Sequence, residues 1–332
     1  MTISEPSASH FPGHLHPAYA HGIRSMEVAA LSYPTDDVLR ITLRAAHGGA
    51  LAPYQPGSHI IITAGDVRNA YSLIGADLNP HRYEISVLRT PDGNGSSWLH
   101  AHSKIGTLLE VEGPRCLFPP VTNQRHALLV AGGIGVTPVL SHARAIARSG
   151  GSADIIYSYR AGHAAHLDDL RALADRTNID LIETTTVAET VTALSACFAR
   201  QPLGTHAYAC GPPAMLETYE QIAESAGWPS ARVHSERFTA PDLDPGEPFT
   251  VQLASTGRII EVPAGVSLLE RLLDSGVKVN NLCRQGVCGE CRIPVLSGTL
   301  HHRDYVLTDA ERESAQSMMC CVSRGTDIEV DL

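Results

Sequence analysis

No run of about 18 apolar residues occurs in the 332-residue chain, so no transmembrane helix is expected. Positive charge is not in excess either. The formal net charge is −10, which argues against nucleic acid as a partner. The opening stretch, MTISEPSASHFPGHLHPAYAHG, has neither a basic start nor an apolar core. A secretory signal is therefore not expected, and residues 1–22 read as a flexible tail. Internal repeats and low-complexity blocks are absent. The eight cysteines, Cys116, Cys197, Cys210, Cys283, Cys288, Cys291, Cys320 and Cys321, are clustered, not spread as a disulfide framework would be. That usage points to a reducing cytoplasm.

What is present divides into three segments. From 23 to 122, short alternating stretches such as VLRITLR and RYEISVLR read as half-buried antiparallel strands. They are punctuated by Gly and Pro at YQPGSH, TPDGNGSS and EGPRCLFPP, and a small β-barrel is expected. From 123 to 238, buried strands alternate with helical stretches, beginning HALLVAGG then TPVLSHARAIARSG, which predicts a parallel α/β sheet. The proline- and acid-rich TAPDLDPGEP, residues 239–248, reads as a linker. From 249 to 332, a hairpin at FTVQLASTGRIIEVP and a helix at SLLERLLDSG precede the cysteines.

Cys283, Cys288 and Cys291 lie in CRQGVCGEC, a C-x4-C-x2-C spacing. This is the plant-type [2Fe–2S] arrangement, which needs one more, distant cysteine. Thiolates are soft ligands that hold iron strongly, and Gly286 and Gly289 let the loop curl. Structural zinc is the rival, but zinc sites pair two C-x2-C knuckles or add His, and no second knuckle exists. For the fourth ligand, 28 residues separate Cys291 from Cys320 and 29 separate it from Cys321. In an extended strand these two thiols would point to opposite sides, so one cluster would take only one of them. Spacing does not choose between them.

CRQGVCGEC, HRDYVLTDAER and CVSR together resemble the ferredoxin portion of the phthalate dioxygenase reductase and vanillate demethylase reductase family. The resemblance extends over the whole chain from about residue 23. It implies a flavin barrel, an NAD-binding α/β domain and a C-terminal β-grasp ferredoxin, in that order. It also implies Cys321 as the fourth ligand, because the family's ligand is the Cys of CVSR. AYSLIG, residues 70–75, resembles the family's flavin motif Arg-x-Tyr-Ser, which implies Tyr71, Ser72 and Leu73 at the flavin, with Ser72 near its N5. The family's Arg falls at position 69, where this chain has Asn69; Arg68, one place earlier, is the candidate cation. GNGSSWLH resembles the family's phosphate loop and implies Gly95, Ser96 and Ser97, with FMN as the flavin. Small residues there let backbone N–H groups converge on an anion.

AGGIGVTPVL lacks the G-x-G-x-x-G fingerprint but resembles the ferredoxin-reductase nucleotide loop, which implies Gly132, Gly133, Gly135 and Thr137. YACGPPAML matches the same superfamily's Cys-Gly-Pro motif and implies Cys210, Gly211 and Pro212, with Cys210 at the nicotinamide. YSYR resembles the superfamily's ribose-contacting strand end, which implies Arg160 at the adenosine ribose, and ERF resembles the end of the family's NAD domain, which implies Phe238 beside the flavin. No Lys or Arg follows Arg160 before Arg171, so no cationic cluster is expected for a 2′-phosphate, which favours NADH. The expectation is a monomeric, cytoplasmic NADH-dependent reductase. It would pass electrons from NADH through FMN and a [2Fe–2S] cluster to a Rieske-type oxygenase component. A stand-alone NADH:acceptor reductase acting on a quinone or ferric iron, and a redox-sensing carrier module, are the alternatives.

Overall fold

The computed structural model describes residues 22–90, 94–239 and 243–332. The tail reading for 1–22 and part of the 239–248 linker reading fall outside the described residues. The first sheet holds β1 (Arg24–Thr35), β2 (Val38–Ala45), β3 (Ser58–Ala64), β4 (Val67–Ser72), β5 (Tyr83–Leu88) and β6 (Leu108–Cys116), with α1 (Asn94–His102) between the last two. Its order is β4-β3-β6-β1-β2-β5, and a bridge from Leu73 to Ile85 joins the two edges into a curled, closed sheet. Alternation explains the core: Leu39, Ile41 and Leu43 of β2 point inward to meet Ile60, Ile62 and Ile85. EGPRC reads in the sequence as turn punctuation, yet β6 runs through it. His59 faces Arg115 and Ile61 faces Glu112, so the pairing steps past Gly113 and Pro114. Such an irregularity accommodates a proline that has no N–H to give the ladder.

The second sheet is wholly parallel. It comprises β7 (His126–Gly132), β8 (Ser152–Ser158), β9 (Asn178–Thr184), β10 (Thr205–Cys210) and β11 (Val233–Glu236). The helices are α2 (Val136–Ser149), α3 (Leu167–Ala174), α4 (Val187–Arg200) and α5 (Pro213–Ser225). The order β11-β10-β7-β8-β9 reverses direction between β7 and β10. Ligand crevices in such sheets open at the carboxyl ends of the strands at that switch point.

The third sheet has the order β13-β12-β16-β14-β15, built from β12 (Phe249–Leu253), β13 (Ile259–Val262), β14 (Arg292–His301), β15 (Ser317–Met319) and β16 (Arg324–Val330). β12 and β16 are parallel and the other pairs antiparallel. Helix α6 (Leu268–Asp274) starts from a capping box of Ser267 and Glu270 and buries Leu268, Leu269 and Leu272. Helix α7 (Asp309–Ser314) is capped likewise by Thr308 and Glu311. The extended strand expected through Cys320 and Cys321 is corrected here. β15 stops at Met319, whose carbonyl accepts from the Val322 and Ser323 N–H groups, so the cysteine pair sits in a turn. Among the described residues no helix is long and apolar enough to cross a membrane.

One apolar core crosses from the first sheet to the second. Val38, Ile74 and Phe118 pack with Val136, Leu140 and Ala143 of α2. Buried polar links join the same two units. Ser141 donates to the Gly75 carbonyl at 2.6 Å, and Arg144 donates to the Ile74 carbonyl and to Asp169, both at 2.8 Å. His166 joins Ser86 at 2.7 Å and Asp169 at 2.8 Å. The third sheet's core consists of its own residues, all from Phe249 onward.

Candidate redox site

On β4, Asn69 and Tyr71 share one side and face the first turn of α1. A side chain at Gly95 would collide with the Asn69 amide nitrogen and stand 3.6 Å from the Tyr71 hydroxyl. That hydroxyl is buried, and burial pushes it up to about 12, so Tyr71 is uncharged. Gly95, Ser96 and Ser97 therefore belong to a helix start, not to a free loop. The Ser96 hydroxyl is 3.1 Å from that of Thr90, and Ser97 donates to the Thr90 carbonyl at 3.2 Å. The hydroxyls brace the turn. Arg68 does not join this group. It lies on the other side of the strand and pairs with Glu112. Leu73 is fully buried in the barrel core and gives its N–H to the Ser58 carbonyl, which helps close the sheet. Ser72 is buried opposite His59, which in turn faces Arg115 of β6. Burial, aided by the Arg115 charge, holds His59 down at about 4, so it is neutral.

The second sheet supplies the opposite wall. Gly132, Gly133, Gly135 and Thr137 lie where β7 runs into α2, and Cys210, Gly211 and Pro212 lie where β10 ends beside it. The two loops touch backbone to backbone. A side chain at Gly135 would strike the Cys210 carbonyl, and one at Gly211 would stand 3.1 Å from Gly132. Gly133 has a left-handed φ of 52° and nothing within 4 Å of a Cβ, so its outer face is open. A 3-10 turn, Gly133–Gly135, runs into α2 without a side-chain cap and takes up the Val136 N–H at the Gly133 carbonyl, so it is the glycine turn that presents its N–H groups to an anion. Thr137 donates to the Ile134 carbonyl at 3.0 Å and fixes the turn. Arg160 is exposed just beyond β8. Arg171, the next cation, forms a two-point pair with Glu183 at 2.8 Å, and Tyr159 also donates to Glu183.

Sequence reasoning missed Glu236. It lies opposite Cys210 in the β10–β11 register, and its Oε2 is closed off without a hydrogen-bond partner. Burial pushes its carboxyl up to about 8. Burial raises the Cys210 thiol, and Glu236 adds to the effect. Burial raises Cys116 at the end of β6 as well, with Glu236 again contributing. Glu236 thus sits in the crease between the two sheets, among uncharged neighbours. Because it keeps its proton to higher pH folded (about 8) than unfolded (near 4.5), its stabilising contribution is full below that lower value and is lost as pH rises toward 8. Glu236→Gln should therefore lose less Tm than wild type between about pH 5 and about pH 8. Parallel Tm curves for the two proteins would show Glu236 ionised at neutral pH.

In the third sheet the thiols form a pair, Cys283 with Cys288, and a trio, Cys291 with Cys320 and Cys321. Cys283 is held below its ordinary value by a hydrogen bond from Cys288, and Cys291 by hydrogen bonds from Cys320 and then Cys321. The Gln285 N–H donates to Cys283 Sγ at 3.3 Å. Four thiols drawn from these two groups, three of them in the C-x4-C-x2-C loop, suit a two-iron cluster. The neighbouring turn braces this loop: Tyr305 N–H donates to the Gly286 carbonyl at 2.9 Å, and the buried Asp304 carboxylate accepts from the Val306 and Leu307 N–H groups. Glu290, between Cys288 and Cys291, pairs with Arg115 of β6. Arg237, beside Glu236, lies 4.4 Å over the Tyr305 ring. Phe238 follows, 39% exposed. The barrel strand, the carboxyl end of the parallel sheet and the cysteine loop therefore meet.

A family model described as "Dimethylamine monooxygenase subunit DmmA-like, N-terminal domain" matches residues 115–233, and one described as "2Fe-2S iron-sulfur cluster binding domain" matches residues 251–325. The chain is 39% identical over 312 residues to the phenoxybenzoate dioxygenase subunit beta of Ectopseudomonas oleovorans, covering 93% of this chain and 96% of that one. It is also 39% identical over 305 residues to the heme-dependent oxidative N-demethylase beta subunit of Ectopseudomonas mendocina, covering 90% and 95%. A solved phthalate dioxygenase reductase, described as a modular structure for electron transfer from pyridine nucleotides to [2Fe-2S], matches with a TM-score of 0.69 and 31% identity over 94% of this chain and 98% of that one. With such identity along nine-tenths of its length, the chain belongs to the phthalate dioxygenase reductase family of iron–sulfur flavoprotein oxidoreductases.

Proposed function

We propose that this protein is the electron-donating reductase of an oxygenase system, carrying electrons from NADH through FMN and a [2Fe–2S] cluster to a Rieske-type oxygenase component. The observation that carries the reading is the meeting of three walls. Ser72, His59 and Arg115 form one cross-strand row, Cys210 and Glu236 face each other beside it, and Arg115 pairs with Glu290 inside the cysteine loop.

The residues fit the groups. Asn69, the buried Tyr71 and the start of α1 would hold FMN, with Asn69 donating where the family's arginine would. The open face of Gly133 and the glycine turn that runs into α2 would hold the dinucleotide's pyrophosphate, and Cys210 and Phe238 would border the nicotinamide and flavin. Cys283, Cys288, Cys291 and Cys321 would hold the cluster. The chemistry a bound FMN would supply is acceptance of an electron pair and its release one electron at a time. The protein's own part is placement in a crease lined by Cys210, His59 and Tyr71 in their neutral forms and by Glu236, whose proton is held up to about 8.

Nucleotide choice follows from Arg171. It is committed to Glu183, so among the described residues it is not available beside Arg160 for a 2′-phosphate, and Glu183 adds a like charge. NADH should give kcat/KM roughly 100-fold above NADPH with an artificial acceptor. Comparable values would reveal a phosphate site elsewhere.

The partner is tested by capture from the native host on the immobilised reductase. Recovery of a Rieske protein supports the reading. Recovery of a haem protein would favour a second one, which rests on the 39% identity to the heme-dependent N-demethylase subunit.

A further inference from the structure

We infer that Arg115 and Arg237 are positioning residues that dock the cysteine loop of the third sheet onto the crease, and that the rate of electron passage from flavin to cluster depends on this docking. The inference rests on the proposed function above, and it names what sets the distance between two of its groups.

The observations come from both sides of the contact. The third sheet has a core of its own, so nothing apolar in that core fixes it to the other two. What reaches across is polar. Arg115 pairs with Glu112 of its own strand and with Glu290, which is flanked by Cys288 and Cys291. Glu290 is 19% exposed and Arg115 27%, so this pair is better shielded than a typical surface bridge but still open to salt. Arg115 shares a row with His59 and Ser72, on three neighbouring strands. Strands lie about 4.8 Å apart, so the arginine that grips the loop stands only about 10 Å from the flavin-motif serine.

The second contact is on the other wall. Arg237 lies between Glu236 and Phe238, and its side chain is 4% exposed. One edge of its guanidinium is held by Glu220 at 3.0 Å, and its face covers the Tyr305 ring. Its Nε and Nη1 are buried without partners, a costly arrangement for a residue serving stability alone. The Tyr305 N–H binds the Gly286 carbonyl of the cysteine loop, so the residue carrying this ring is tied to the loop through its backbone. Two arginines, one from each wall, thus hold the loop at two points on either side of the crease.

The test uses the full chain with its cluster assembled, checked by visible absorbance. Arg115→Glu sets like charges against each other at Glu290, and Tyr305→Leu removes the ring under Arg237. Each should enlarge the radius of gyration in small-angle scattering. In stopped flow, each should slow cluster reduction by about tenfold or more, and Tyr305→Leu, which lies in neither the flavin nor the nucleotide wall, should keep the wild-type rate of flavin reduction by NADH. The charge exchange Arg115→Glu with Glu290→Arg should restore both compactness and rate. Added salt should slow cluster reduction in wild type and have less effect in Tyr305→Leu with Arg115→Gln, where both contacts are already gone. Wild-type scattering and wild-type cluster reduction in both single variants would overturn the inference, as would a charge exchange that restores neither. Failure of the flavin reading would show separately, as missing flavin absorbance, and the scattering comparison would still decide the docking.

Discussion

Cys321→Ser should yield protein without a stable cluster, whereas Cys320→Ser should keep it. Both thiols reach Cys291, because the turn after Met319 brings them to the same neighbourhood. They differ in what else they meet. Cys321 also senses Cys283 and takes a hydrogen bond from the Gly286 N–H, so it looks into the loop that holds Cys283 and Cys288. Cys320 senses Cys291 alone and is fully buried; its carbonyl accepts from Leu269 of α6 at 2.9 Å. It is part of the floor under the loop. Iron counting, visible absorbance and EPR on the two variants check this. Cluster loss in Cys320→Ser with retention in Cys321→Ser would exchange their roles. Loss in both would show that the floor is as necessary as the ligand.

Cys210→Ala should slow reduction of the flavin by NADH by about 10- to 100-fold without changing the cluster spectrum. Cys210 closes the carboxyl end of β10, pressed against Gly135 and opposite Glu236, and it has no exposed surface. Trimming its sulfur opens a small void where two loops meet in backbone contact. Alignment of the nicotinamide should suffer more than stability, since a void of one atom costs only about 1 kcal/mol. Rapid mixing under anaerobic conditions, with Tm measured in parallel, separates the two effects. An unchanged reduction rate with a lowered Tm would make Cys210 a packing residue.

The three units were legible because the apolar period changes along the chain. It runs at two residues in VLRITLR, then as buried strands between helices, and then gives way to cysteines at a spacing that few other sites use. The glycine loop before α2 was legible for the same reason: a short apolar strand leads directly into it. Register was harder to read. Arg68 and Asn69 are adjacent, and only strand alternation decides which faces α1. Glu236, an acid in a strand, would ordinarily be taken as solvent-facing, and only cross-strand pairing sets it against Cys210. The Cys320–Cys321 turn was hidden because its closure depends on hydrogen bonds to the Met319 carbonyl, and no Gly or Pro marks it. Arg115 and Glu290 are 175 residues apart, and no local pattern links them.

The core shared by the first two sheets makes three sheets behave as two cooperative units of unfolding. Val38, Ile74 and Phe118 are as much part of the α2 packing as of the barrel, so neither sheet can melt without exposing the other's interior. A destabilising substitution at Leu39 would therefore cost nucleotide binding as well as flavin retention. Harm within the Phe249–Leu332 unit would be confined there. Mutational tolerance in this chain thus has two compartments, and the boundary between them falls after the second sheet.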